Sequence, residues 1–492
     1  MYKNNEKQLE FEDFHLPFGG NLRSDNRWVK LAKLIPWHAF EGLYVRTLAG
    51  TGMGAPAMSV RVALGSLIIK ERLGTSDEET VEQIRENPYL QYFLGFEEYK
   101  QEAPFHPTMF VHFRKRLGKD VLAGINEVIT SRAMKASSPK EKSSAGKIDD
   151  DADPPSDPGN NKGKLIMDAS CAPADITFPT DLKILNDARE KSEEILDSLH
   201  EPLVGEQKKP RTYREKARKQ YLKAAKKKKL SKNKRRNAIR RQLGYINRNL
   251  KSIACLSEKS PLSILDRRQY KNLLVIAEVH RQQQWMYSNR EHRINDRIVS
   301  ISQPHVRPIK RGKPGAATEF GAKISVSLIN GYSFVDRLSW DSYNESGDLI
   351  GQAEKYHQRF GYWPESVHAD KMYRTRANLR FCKKHGIRLS GPTLGRPPGE
   401  TATQKEIRQQ IYRDEVARNA IEGKFGQAKR RFCLGRIMCK LARTSESAIL
   451  LTFLVMNLDR WLKAILFWLF YHMKLQAQHS SQMEKIGFSG DF

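Results

Sequence analysis

The chain has 492 residues, with 85 Lys+Arg against 56 Asp+Glu, giving a formal net charge of +29 and a sequence pI near 9.8. Its length suggests two or three domains with a sizeable core, and its charge suits a polyphosphate partner whose counterions are released on binding. Five cysteines, an odd number with no C-x-x-C pair, exclude a disulfide framework and point to a reducing cytoplasm.

The N-terminus, Met1 to Glu6, lacks the apolar core of a signal peptide. Residues 1–135 read as a helical domain. Ala57 to Leu73 is amphipathic, Ser76-Asp77-Glu78-Glu79 is a capping box, and Pro107-Thr108 opens a helix that closes at Leu117-Gly118 beside Arg114, Lys115 and Arg116. Two readings fit this pattern: a helix-turn-helix unit on terminal DNA, or a small helical domain with a solvated basic face. Residues 136–163 collapse into Ser, Pro, Asp, Gly, Lys and Asn, a composition that buries nothing and predicts a linker.

Leu165-Ile166-Met167-Asp168 predicts a strand ending on Asp168. The following segment, about 185–298, reads as a helical insertion. Its window from Gln207 to Lys251 holds 20 Lys/Arg and one Glu, so most of the chain's surplus charge sits there. Ile239, Leu243, Ile246, Leu250 and Ile253 mark one apolar seam of a charged hairpin. Such a hairpin can clamp DNA phosphates or be a solvated face; the scarcity of acids favours the clamp.

Beyond it, Arg307 to Lys313 reads as a Pro/Gly-broken basic loop open to DNA contact. Phe320 to Leu328 alternates apolar and polar, Asn330-Gly331 is a hairpin turn, and Tyr332 through Leu338 returns. A helix over Ile350 to Phe360, a strand over Ser366 to Asp370, a helix over Ala377 to His385 and a strand at Ile387-Arg388-Leu389 follow. Without the insertion, this is the strand and helix order of a ribonuclease H-like α/β core, assigned to residues 164–475 with a tail at 476–492. Ala448 to Met456 and Ala464 to Phe470 are apolar, but Asn457, Asp459, Arg460 and Lys463 interrupt them, which predicts a buried helix and no membrane partner.

Two strand-borne aspartates, Asp168 and Asp370, and a helix-borne glutamate, Glu422, are the carboxylate set that paired divalent ions require for attack on a phosphodiester. On the helix of Glu422, Arg418 at 0°, Lys429 at about 20° and Glu422 at about 40° share one face. This arrangement sets phosphate-holding cations beside a metal ligand, or simply pairs Glu422 with Arg418. Lys371 and Arg374 follow Asp370 and can grip phosphate or be solvated. His368 reads as a hydrogen-bonded core histidine and Cys171 as small core filler. Neither a Walker-type loop nor H-E-x-x-H is present.

The chain resembles bacterial DDE insertion-sequence transposases, particularly the insertion-sequence-five group. The resemblance rests on Met167-Asp168-Ala169-Ser170 with Phe178 to Leu182, on Ser302-Gln303-Pro304-His305-Val306-Arg307-Pro308, on Glu319-Phe320-Gly321-Ala322-Lys323, on His368 to Thr375, and on Arg418 to Phe425, over roughly residues 20–465. It implies that Asp168, Asp370 and Glu422 are catalytic and hold two Mg²⁺ ions, with Mn²⁺ as a substitute. It also implies that Arg418 and Lys429 fill the arginine and lysine of a Tyr-x2-Arg-x3-Glu-x6-Lys signature. Glu415 stands where that signature has tyrosine. The expected activity is hydrolysis at element ends followed by strand transfer, on double-stranded DNA, as a homo-oligomer near the bacterial nucleoid. A non-catalytic end-binding protein and a structure-specific nuclease of the same fold are the alternatives.

Overall fold

The computed structural model of the chain describes residues 15–16, 20–48, 56–137, 161–313, 316–392 and 402–487. Among them, the strands form one six-stranded mixed sheet. At its middle lies β1 (Lys164–Pro173), antiparallel to β3 (Ala316–Ile329) on one side and parallel to β5 (Ser366–His368) on the other. The strand β6 (Arg388–Leu389) extends the sheet parallel to β5. Both β2 (Arg307–Lys313) and β4 (Tyr332–Ser339) pair antiparallel with β3. Gly321 of β3 faces Pro173 of β1 and Arg307 of β2, so these two strands flank β3 on opposite edges. A Cβ at Gly321 would collide with the Ala172 carbonyl oxygen, so only glycine lets β3 cross β1 there.

The hairpin turn is formed by Asn330 and Gly331, with φ of 50° and 81°, the positive values that this two-residue connection needs. The alternation in β3 does not leave a solvated face. Residues 321–329 are all buried, because α12 (Asp348–Phe360) covers the polar side, where the Gln352 side chain donates to Ser325 Oγ at 3.0 Å. Two strand boundaries also differ from expectation. Asp168 lies mid-strand, since Ala169 to Pro173 keep pairing with β3; Asp370 lies beyond the end of β5. The segment Arg307–Lys313 is a strand rather than a loop. It occupies a sheet edge and has an irregularity between Lys310 and Lys313, a position where Pro308 and Gly312 are tolerated.

N-terminal helices α1 (Arg27–Leu34), α2 (His38–Val45), α3 (Val60–Leu73), α4 (Asp77–Glu86), α5 (Pro88–Leu94), α6 (Met109–Arg116) and α7 (Lys119–Ser137) precede the sheet. The Ser76 side chain caps α4 by accepting from Glu79 N at 3.0 Å. The last helix, α15 (Ala442–Gly487), packs on α1, α3, α6 and α7 as well as on β4. One hydrophobic cluster therefore runs from Trp28, Phe40 and Phe93 through Leu165, Val326 and Val367 to Leu454. At its centre, Asn457 of α15 donates to Asn126 Oδ1 at 2.9 Å and to Ser333 O at 2.8 Å, joining three elements through satisfied buried amides. Among the described residues, no helix is long and apolar enough to cross a membrane. Most of the expected linker, residues 138–160, lies outside the described residues, as does the end of the expected tail.

The insertion is larger than a hairpin. Four helices, α8 (Asp181–His200), α9 (Arg214–Ala225), α10 (Lys232–Ser257) and α11 (Arg267–Asn289), pack together. Leu243, Ile246 and Ile253 of the expected seam are buried and Ile239 and Leu250 half-buried, against Leu185, Leu196, Ile276 and Val279. This second hydrophobic cluster gives the insertion a core of its own. The last residue of the α13 helix (Arg376–Lys384) leads through His385-Gly386 into β6, and α14 (Ala402–Arg431) then crosses back over β1 and β5.

Candidate metal and nucleic-acid site

Parallel pairing of β1 with β5 sets Leu165 against Val367 and Ile166 against His368. Asp168 and Asp370 each lie two residues beyond the last of these pairs, and the charge of Asp370 reaches Asp168. The Asp370 side chain accepts from Lys371 N at 2.6 Å, capping the tight turn Lys371–Tyr373, which fixes this exposed carboxylate just past the strand.

Asp168 accepts from Ala169 N at 2.8 Å. Its carboxyl is pushed up to about 6, chiefly by burial and further by Glu345 and Asp370, while the Ala169 N–H and Arg418 oppose the shift. A half-buried carboxyl among other acids is short of positive charge. That imbalance fits a cation, since a bound divalent ion supplies what the neighbouring side chains do not.

The third carboxylate arrives on α14, which packs on both β1 and β5. Ile421, Phe425, Ala428 and Phe432 are buried and hold the helix to the sheet. The exposed Glu422 pairs with Arg418, Nη1 to Oε1 at 3.1 Å. Arg418 also acts electrostatically on Asp168. Lys429 lies two turns further along the same face. Among the described residues, no group of three or more His, Cys, Asp or Glu side chains is placed to hold a metal ion. The structure thus carries Asp168 on β1 and Asp370 just past β5, two neighbouring strands, and Glu422 on the helix that packs over both, engaged by its own helix neighbour.

Other expected contacts sort by their surroundings. Lys371 is exposed beside Asp370. Arg374 is turned towards β6, where its Nη1 donates to Leu389 O and Ser390 O at 2.8 Å each, so this guanidinium ties the turn after Asp370 to the sheet. His368 is a buried core side chain, with Nε2 3.0 Å from Ser366 Oγ and a pKa pushed down mainly by burial. Within the insertion, Arg214 and Lys209 both pair with Asp197 at 2.8 Å, and Arg236 stacks 3.9 Å over Tyr287. Lys226, Lys227, Lys228 and Lys229, between α9 and α10, are exposed.

Asp414 was not singled out by sequence reasoning. It is buried, its carboxylate takes Arg388 Nη2 at 3.0 Å and Gln410 Nε2 at 2.9 Å, and His368 Nδ1 lies 3.6 Å away. It fixes α14 against β5 and β6 two turns before Glu422. Its spacing of four from Arg418 and eight from Glu422 was the available signal.

Comparison with known proteins bears on both ends of the chain. Residues 367–459 match the family model described as "Transposase DDE domain". Residues 18–116 match "Transposase domain (DUF772)". A protein of Rhizobium meliloti named "Uncharacterized protein ORF8 in nfe locus" is 34% identical over 119 residues, which is 23% of this chain and 55% of that protein. The match thus spans about half the length of that relative. No solved structure matches. The resemblance to bacterial DDE transposases is supported by these findings, and Asp370 and Glu422 both fall within the matched DDE segment.

Proposed function

We propose that this chain is a DNA transposase built on a ribonuclease H-like core, cutting phosphodiesters at the ends of a mobile element and joining the freed ends to target DNA. The observation that carries this reading is the parallel pairing of β1, which bears Asp168, with β5, which leads into Asp370, under the helix that bears Glu422. The strand order β4-β3-β1-β5-β6, antiparallel on one side of β1 and parallel on the other, supports the fold assignment. The domain division follows: residues 1–135 recognise the ends, 164–475 carry the chemistry, and the basic insertion within them grips DNA.

Asp168, Asp370 and Glu422 are the groups that would hold two Mg²⁺ ions, or Mn²⁺ in their place. When bound, such ions activate the attacking oxygen and stabilise the departing one. In the first step a water oxygen attacks phosphorus, the bond from phosphorus to the 3′ oxygen breaks, and that oxygen leaves with a proton as the element's 3′-hydroxyl. In the second step this hydroxyl attacks a target phosphodiester, releasing a target 3′-hydroxyl. The protein's part is positioning and charge neutralisation. Asp168 and Asp370 are set by strand pairing and by the capped turn, and Glu422 by the buried face of α14. Arg418 and Lys429, with Lys371, orient phosphates. Releasing Glu422 from Arg418 costs little, because an exposed pair of this kind is worth roughly 0.3–0.5 kcal/mol.

The test is cleavage of a labelled duplex made from the gene's own flanking DNA in the presence of Mg²⁺, comparing the native chain with Glu422→Gln. Nicking at a repeat boundary that the variant loses while it still binds supports the proposal. Binding without cutting by either protein favours a non-catalytic end-binding role, and cutting without strand transfer favours a nuclease. Cytoplasmic action on the nucleoid as a homo-oligomer belongs to the same proposal.

A further inference from the structure

The helix that bears Glu422 and Lys429 is held on both sides of them, from different parts of the chain. Asp414 fastens its earlier half to Arg388 of β6. Its far end is held by the N-terminal helices. Glu71, near the end of α3, is buried, and its Oε1 accepts from Cys433 N at 3.2 Å and from Thr452 Oγ1 of α15 at 2.6 Å. Cys433 opens the turn Cys433–Gly435 just past α14. That turn is folded closely back on the helix, since a Cβ at Gly435 would stand 2.7 Å from the Lys429 carbonyl oxygen. An acceptor on α3 therefore receives the chain where α14 stops.

The next residue of α3 makes a second, independent hold. Arg72 pairs through Nη2 with Asp459 Oδ1 of α15 at 2.9 Å, and its guanidinium lies 5.5 Å from the centre of the Trp28 ring of α1. The almost wholly buried Asp459 also takes Arg431 Nη2, on the last residue of α14, at 3.2 Å, and Lys463 Nζ at 3.4 Å. A carboxylate so enclosed depends on its cations. Arg431 and Lys463 are shared with water, whereas the Arg72 side chain is only 9% exposed. Thr452 and Asp459 lie seven residues apart, on one face of α15, so two neighbouring residues of α3 meet that face two turns apart. Through it they reach both Arg431 and Cys433.

We propose that Glu71 and Arg72 are positioning residues for strand cleavage: from the N-terminal helices they fix the end of α14, and with it Lys429 and Glu422. This inference rests on the roles proposed above for those two residues. Lys429 lies two residues before Arg431 and Glu422 nine, roughly 3 Å and 13 Å along the helix axis. A hold at Arg431 and Cys433 thus sets the rotation and height of Lys429 first and of Glu422 next. The domain assigned to end recognition is then also part of the frame of the cutting site. Losing either hold shifts the helix without removing a group that the proposed function places on DNA.

The test is single-turnover cleavage of the flanking-DNA duplex with Mg²⁺ and saturating full-length protein, beside a binding titration. The proteins compared are the native chain, Glu71→Leu, Glu71→Gln, Arg72→Met, Arg72→Lys and Glu422→Gln. Glu71→Leu keeps the bulk and loses the acceptor, while Glu71→Gln keeps an oxygen for Cys433 and Thr452. Arg72→Lys keeps a cation for Asp459, and Arg72→Met keeps none. The rate constant is read apart from the amplitude, so a merely unfolded fraction lowers the amplitude alone. The expected result is a rate constant about ten- to a hundredfold lower in Glu71→Leu and Arg72→Met, with native DNA affinity. Glu71→Gln and Arg72→Lys should recover most of the rate. Hydrogen exchange of amides 429–435 should quicken in the two slow variants, and the Arg72 pair carries the comparison should Glu71→Leu fold poorly. Native rate constants in Glu71→Leu and Arg72→Met, no recovery in the conservative variants, or affinity lost in step with rate would overturn the positioning role and leave the transposase reading in place. No nicking by the native chain, or native nicking by Glu422→Gln, overturns that reading and the positioning role with it.

Discussion

Arg388 of β6 and Asp414 of α14 are bound side chain to side chain, Nη2 to Oδ1 at 3.0 Å, with the carboxylate almost wholly buried. This pair fastens the helix that bears Glu422 to the strand next to the one that leads into Asp370. Asp414 is the buried partner and Arg388 is 42% exposed, so removing Asp414 leaves a guanidinium that water still reaches, and the cost stays below that of breaking a fully buried pair.

Asp414→Ala should therefore lower Tm and depress cleavage more strongly than it depresses DNA binding, since it misplaces Glu422 and touches no cation of the insertion. Thermal melting together with a binding titration and a nicking assay checks this. If cleavage per folded molecule stayed native, the anchoring role would be refuted.

Asp168→Asn should separate stability from function. The native carboxyl is held among Glu345 and Asp370 in a half-buried place that raises it to about 6. An amide there escapes the repulsion, so the metal-free variant is expected to melt higher than the native protein at pH 7 by a few degrees, while cleavage is abolished. Parallel melts with and without Mn²⁺ decide it, because the native chain should gain more from the ion than the variant does.

Changing Lys226, Lys227, Lys228 and Lys229 together to glutamine should leave Tm unchanged, since all four are exposed. DNA affinity should fall uniformly across sequences. The slope of log affinity against log salt should become shallower by up to about 3–4, following about 0.9 per phosphate contact. An unaltered slope would show that the basic insertion does not meet the DNA backbone.

Lys424 offers a pH signature. Its ammonium is held down to about 8, chiefly by burial and then by Arg460 and Lys463, with Asp459 opposing. Between pH 8 and the unfolded value of 10.5, the unfolded chain binds more protons than the folded one, so stability contributed through this group rises with pH across that window. Lys424→Met should melt higher than the native chain at pH 7, with the advantage narrowing towards pH 10. A constant difference between the two proteins across that range would contradict the prediction.

How far the sequence was legible follows from which features are local. The turn at Asn330-Gly331, the seam Ile239 to Ile253 and the cap at Ser76 were readable because neighbouring residues determine them. Strand ends were less so. Asp168 looked terminal because Ala169, Ser170, Cys171 and Ala172 are weak strand formers, yet pairing with a strand some 150 residues away carries β1 on to Pro173. For the same reason Arg307–Lys313 looked like a loop until its partner in β3 was present. At the site, the three carboxylates stood out as motifs. Asp414 did not, since its meaning lies in a partner, Arg388, that only the fold brings near.

The place of β1 at the middle of the sheet bears on how the protein comes to be active. Each neighbour of β1, β3 on one edge and β5 on the other, is made well after it, and α14 later still. A chain emerging from the ribosome thus completes the self-contained insertion, with its own core, long before the carboxylates can meet. On the proposed assignment, catalytic competence is deferred by the order of synthesis: truncated or stalled products that stop before residue 422 carry the basic surface but lack the third proposed carboxylate.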